Sequence, residues 1–105
     1  MIQNETICAA ATPAGGAITV IRVSGDNAIK IADKIFRGKA KLSETRPNSI
    51  RYGEIVDADG TVVDDVLISV FKSPNSYTGE NSIEISCHGS MYITKSIIKL
   101  LVDNG

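Results

Sequence analysis

The segment from residue 50 to residue 71 limits the possible folds more than any other part of the chain. Two runs rich in β-branched side chains, 50–56 and 62–71, flank Asp57-Ala58-Asp59-Gly60. Aspartate and glycine between two such runs are the chemistry of a hairpin turn. An isolated two-stranded hairpin is marginal in water. The second arm is long, strongly apolar and almost uncharged after Asp65, so it has to be covered by more of the same molecule or by a copy of it.

The rest of the chain supplies further strands. Residues 6–11 are small and apolar, Thr12-Pro13-Ala14-Gly15-Gly16 is a turn cluster, and 17–23 is β-branched, which reads as strand, tight turn, strand. In the second of these, Ala17, Thr19, Ile21 and Val23 face one way and Ile18, Val20, Arg22 and Ser24 the other, because strand side chains alternate. Both faces are mostly apolar, which predicts a central strand. Ser24-Gly25-Asp26 offers N-cap chemistry to a helix over 27–37, with Ala28, Ile29, Ala32, Ile35 and Phe36 at helical spacing and Gly38 in the C-cap place. Residues 39–49, polar, basic and broken by Pro47, form a loop, and so does Ser73-Pro74-Asn75-Ser76-Tyr77-Thr78-Gly79. A strand over 82–87 and a helix over 91–103, capped by Asn104-Gly105, complete the order β-β-α-β-β-β-α. The expected fold is α+β: a mixed, largely antiparallel sheet of about five strands with two helices packed on it.

With 105 residues, 43% apolar and 22% charged, the chain is one globular domain, 1–105, large enough for a single core. No apolar run approaches the roughly 20 residues needed to cross a bilayer, and Met1-Ile2-Gln3-Asn4-Glu5 has no basic leader region, so a cytoplasmic location and no membrane contact are expected. Two separated cysteines and one histidine, His88, are too few ligands for a zinc site or a disulfide framework. Residues 1–52 hold 8 Lys/Arg against 4 Asp/Glu, and residues 53–105 hold 3 against 8. The acidic half argues against a nucleic-acid surface covering the whole domain, while a local basic patch over 37–51 stays available.

The turn at Gly15-Gly16 lacks the G-K-[ST] ending of a phosphate loop and leads into a strand, so it reads as a tight hairpin. Arg22 is more informative, because a guanidinium near the end of a buried strand needs a carboxylate or phosphate partner. Either an acid of the second half or a bound anion near the Ser24-Gly25 helix entrance meets that need. Glu80, Ser82, Glu84, Ser86 and His88 fall on one face of the last strand, which is either solvated or touches a ligand. Glu84 and His88 stand about 13 Å apart by strand rise. Cys87 points the opposite way from His88, toward the core, which argues against a thiolate–imidazolium pair. Asp64-Asp65 is a weak dyad signal, since strand neighbours point apart.

Taken in order, TICAAATPAGGA, AITVIRVSGDNA and SYTGENSIEISCHGS resemble one family over practically the whole chain, the N-terminal domain of the tRNA modification GTPases (MnmE/TrmE). Ala14-Gly15-Gly16 departs from that family's arginine-bearing turn, and Ser90 stands where a second glycine often follows His-Gly. The resemblance implies an aminomethyltransferase-like fold that forms a homodimer and binds a tetrahydrofolate derivative as one-carbon donor. It implies a longer protein whose helical and GTPase domains, with GTP, magnesium and potassium, lie outside this chain. With a flavoprotein partner, that protein modifies carbon 5 of the wobble uridine of certain tRNAs. The expected ligand contacts are Arg22, Ser24, Gly25, Tyr77, Thr78, Gly79, Glu80, Glu84 and His88, with no catalytic residue and no metal in this domain. Arg22 is expected at an anionic tail and Glu84 at the pterin, an assignment of ends that is reversible. Two alternatives stand beside this one: a structural dimerisation module without ligand, and a stand-alone folate-dependent transferase, for which the chain is short.

Overall fold

The computed structural model describes residues 6–10, 16–72 and 80–105. Six strands, β1 (Ile7–Ala10), β2 (Ile18–Ser24), β3 (Phe36–Gly38), β4 (Ser49–Val56), β5 (Val62–Phe71) and β6 (Ser82–His88), form one antiparallel sheet in the order β1-β2-β6-β5-β4-β3. Two helices, α1 (Ala28–Asp33) and α2 (Met91–Asp103), complete the α+β fold. The expected hairpin is β4–β5. Asp57 Oδ1 accepts the amides of Asp59 and Thr61 at 2.9 Å each, and the Gly60 amide reaches the Asp57 carbonyl at 3.0 Å.

Both helices pack on one face of the sheet. Ile21 and Val23 of β2, Ile83 and Ile85 of β6, and Val66, Ile68 and Val70 of β5 point into that layer and meet Ile29, Ile31, Ile97 and Leu101. Burying each such side chain contributes about 1.5–3 kcal/mol. Ser90 caps α2 by accepting the Ile93 amide, and Asn104 closes it through Nδ2 to the Leu100 carbonyl. No helix among the described residues is long and apolar enough to cross a membrane.

Three expectations need correction. The helix predicted over 27–37 ends at Asp33, because the Ile35 carbonyl accepts the Val56 amide at 2.9 Å and Phe36–Gly38 pairs with β4 as a sixth strand. Gly38 is therefore a strand residue rather than a C-cap, and the Phe36 ring lies over Gly38 and Gly53. Second, the 17–23 segment is interior but not buried on both faces: Thr19, Ile21 and Val23 are covered, while Ile18 and Arg22 lie open. Third, β5 needs no edge cover, since β4 and β6 pair with its two sides, and the sheet edges are the short strands β1 and β3. What β5 leaves uncovered is its face, at Leu67.

Candidate functional site on the open sheet face

Among the described residues no helix packs on the second face of the sheet, and strand register arranges its side chains in rows. One row runs Arg22, Glu84, Ser69, Ile50, and the next runs Val20, Ser86, Leu67, Tyr52. Ile18 pairs with His88 at the end of β6. Ile18, Ile50, Tyr52 and Leu67 are exposed by 48–67%. Singly exposed apolar residues need no explanation, but four on one sheet face form a patch that mixes apolar surface with charge. A shallow depression of about 260 Å³ lies among Ile18, Tyr52, Leu67, Ser86 and His88.

Arg22 and Glu84 are cross-strand neighbours that bond each other. Nε and Nη2 of Arg22 donate to the same oxygen, Glu84 Oε2, at 3.0 and 2.6 Å. Of the two partners the sequence allowed for the guanidinium, the structure has the internal acid. Half of the Arg22 side chain remains exposed, so its burial is lighter than the sequence implied. The two residues expected at the two ends of a ligand therefore stand side by side in one row.

His88 is the last residue of β6, and Cys87 faces the other way, as alternation requires. Cys87 is buried and its thiol lies 3.5 Å from the Thr19 carbonyl. Burial, reinforced by the nearby Asp64 carboxylate, pushes that thiol up from the ordinary value, so it is protonated and core-bound rather than nucleophilic. His88 is held by Asp64, whose carboxylate accepts the His88 amide at 2.9 Å and meets Nδ1 at 2.7 Å. The Asp64 side chain is only 8% exposed, whereas the His88 ring is 70% exposed. A carboxylate on Nδ1 fixes that nitrogen as donor and turns Nε2 outward. The partner of Asp64 is thus His88 on the neighbouring strand, past the last paired residues of β5 and β6, rather than Asp65.

The glycine after His88 has its own reason. Its amide donates to the Ala17 carbonyl at 2.9 Å, and a Cβ at Gly89 would run into the Gly16 carbonyl. At the other end of the face, Ser24 closes β2, and Gly25, with φ 136°, donates its amide to the Asn81 carbonyl. The N-cap of α1 is Asn27, without a side-chain cap, and its amide takes Thr6 Oγ1 at 3.2 Å. Ser24-Gly25 is therefore a turn whose glycine amide is already used, and the N-cap role expected there belongs to another residue. Glu80 precedes β6 instead of standing on it. Tyr77, Thr78 and Gly79 lie outside the described residues.

A two-layer α+β domain with a charged pair on an open sheet face is the class that fold and site define. The family described as GTP-binding protein TrmE N-terminus matches residues 6–105, and the chain belongs to it. It is 50% identical over its whole length to the tRNA modification GTPase MnmE of Flavobacterium johnsoniae and 52% identical to that of Flavobacterium psychrophilum. A third relative, the tRNA modification GTPase MnmE of Bacteroides thetaiotaomicron, is 49% identical over 99% of the chain. The chain spans 23% of the length of each of these relatives.

Proposed function

We propose that the chain is the reduced-folate-binding and dimer-forming N-terminal module of a cytoplasmic tRNA modification GTPase. The observation that carries the reading is the Arg22–Glu84 pair on an uncovered sheet face. Both Arg22 bonds go to Oε2, and Oε1 of Glu84 takes no hydrogen bond among the described residues. A pterin edge presents adjacent N–H donors, and an oriented carboxylate with a spare oxygen is their natural acceptor. Ile50 and Tyr52, in the same and the next row, offer apolar surface to a flat ring, so the residues present fit the group. Bound there, the folate supplies a one-carbon unit.

Glu84 accepts the ring N–H groups, and Arg22 orients Glu84 while offering its exposed half to an anionic group. His88 presents Nε2 from the far end of β6, Ser24, Gly25 and Glu80 border the opposite end, and Tyr77, Thr78 and Gly79 complete the set of ligand contacts in this reading. The exposed Ile18, Ile50, Tyr52 and Leu67 support pairing of two copies across this face, with the ligand near the junction. GTP, magnesium and potassium chemistry belongs to the remaining length of the relatives, as do the partnership with a flavoprotein and modification of the wobble uridine at carbon 5.

Titration with tetrahydrofolate tests the reading. Losing a charged hydrogen-bond partner costs about 1.5–3 kcal/mol, roughly 10- to 150-fold in affinity, so Arg22→Ala and Glu84→Gln each weaken binding by that order. Because the two side chains touch, the double variant loses less than the product of the two effects. Equal affinity in wild type and variants, with unchanged circular dichroism, refutes the site. A saturable folate site lost in neither variant while light scattering shows a stable dimer favours the purely structural reading of this pair.

A further inference from the structure

The basic segment after α1 has no place in the site above, yet the fold gives it a partner surface. The short helix α1 and the 3₁₀ turn Leu42–Glu44 bound an open groove of about 670 Å³, which Lys30, Lys34, Lys41 and Lys72 line together with Asp26 and Asp33. These four lysines come from three separate stretches of sequence. Among the described residues, none of the four is in an ion pair with a carboxylate. The groups that hold two of them are neutral: Lys34 Nζ donates to the Asn104 carbonyl at 3.1 Å, and Lys72 Nζ to the Ser43 and Thr45 carbonyls at 3.0 and 2.6 Å. Those bonds fix the ammonium groups in place without cancelling their charge. Asp33 is engaged elsewhere, accepting the Leu42 and Ser43 amides at 2.5 and 3.1 Å, so it shapes the groove wall.

We propose that this groove docks the phosphodiester backbone of tRNA. The choice of polyanion follows from chemistry on the surface. Four ammonium groups against two carboxylates, one of them committed to backbone amides, make a local excess of positive charge in a domain whose net charge is −1. Lysines without an arginine fork are point charges suited to phosphate oxygens and read no base edge. The one large apolar residue in the lining, Ile29, is 7% exposed, so the surface has nothing to insert into a lipid layer. Five of the eight acids of the second half, Glu54, Asp57, Asp59, Asp64 and Asp65, belong to β4, β5 and their turn, and none of these five lines the groove. The acidic second half that counts against a nucleic-acid surface over the whole domain is therefore compatible with a local basic groove. RNA, rather than another polyanion, rests on the tRNA modification reading; the groove itself does not depend on the folate site.

The test is fluorescence anisotropy of a labelled, unmodified tRNA transcript with this chain, across a range of salt concentrations. Binding is expected to be saturable, insensitive to sequence and steeply salt-dependent. Each phosphate contact adds about 0.7–0.9 to the slope of log affinity on log salt, so Lys30→Glu/Lys41→Glu flattens that slope by about 1.4–1.8 and weakens binding at least 10-fold. Lys95→Glu, an exposed charge reversal on α2, is the control and retains wild-type binding. Absence of saturable binding at low salt overturns the proposal, and so does an equal loss in Lys95→Glu. Tighter binding to polyglutamate or to phosphatidylserine vesicles than to tRNA overturns it as well. Tetrahydrofolate titration of the same lysine variants keeps the two readings apart: a protein that binds tRNA but not folate loses the folate site alone, and the converse loses this groove alone.

Discussion

Removing the Asp64 carboxylate tests whether the end of β6 is held by register alone or by one side chain. Asp64→Ala deletes two bonds at once, the 2.9 Å bond from the His88 amide and the 2.7 Å contact with its ring. The ring is 70% exposed, and water replaces most of that contact, leaving it near the 0–1 kcal/mol of a surface pair. The amide bond is different, because its acceptor is charged and nearly buried, and such bonds contribute about 1.5–3 kcal/mol. The expected loss is about 2 kcal/mol. For a domain of this size each kcal/mol moves the melting temperature by roughly 4–8 °C, so a drop above about 8 °C is expected by calorimetry or circular dichroism. His88→Ala removes only the exposed ring contact and is expected to cost under about 1 kcal/mol. If His88→Ala costs as much as Asp64→Ala, or if Asp64→Ala costs less than about 0.5 kcal/mol, the assignment of the anchoring role to the amide bond is wrong.

Gly89→Ala drives a methyl group into the Gly16 carbonyl and is expected to cost at least the 1–3 kcal/mol typical of overpacking, read from the urea midpoint; an unchanged midpoint refutes that close approach. Arg22→Ala, by contrast, removes a half-exposed ion pair and is expected to change stability by under about 1 kcal/mol while weakening folate binding, so a large stability loss would mark the pair as structural. The Cys87 thiol is raised by burial and therefore stays protonated in the folded chain where the unfolded chain has begun to ionise. The folded state then binds more protons, so its advantage is complete below the ordinary value of 9.0 and is lost as pH rises past it; Cys87→Ala is expected to flatten the fall in stability between pH 8 and 10, and an identical slope in both proteins refutes the assignment. Native Cys87 is likewise expected to react with a thiol reagent at pH 8 more than 10-fold slower than in the unfolded chain, in line with its burial.

Local chemistry made much of the fold legible. Asp57 and Gly60 between two β-branched runs announced the β4–β5 hairpin, and the spacing of Ile97 and Leu101 announced α2, because each signal lies within a few residues of the structure it specifies. Phe36 misled for the opposite reason. Its position after Ala28, Ile29 and Ala32 continues a helical stripe, and the pairing of Phe36 with Ile55 that overrides it depends on a strand about twenty residues away. The partner of Arg22 was readable as a residue type but not as a residue. Glu84 becomes its neighbour only through the β2–β6 register, and Asp64 meets His88 only through the folding of β5 beside β6.

The two faces of the sheet follow from one alternation carried across its interior strands. β2, β5 and β6 each give their odd or even positions to the helices, and that face is filled mainly with isoleucine and valine. The same strands then have nowhere to put Arg22, Glu84, Ser86 and Leu67 except on the other side, where none of the described residues forms a helix. A sheet that served only as a platform for α1 and α2 would make that second face uniformly polar, as half-solvated antiparallel sheets do. Here apolar Ile18, Ile50, Tyr52 and Leu67 interleave with a bonded charge pair and an oriented imidazole. Apolar surface drives a partner onto the face and oriented polar groups select which partner, so this composition suits recognition better than bare solvation. The lysines sit apart from it, lining the groove beside α1.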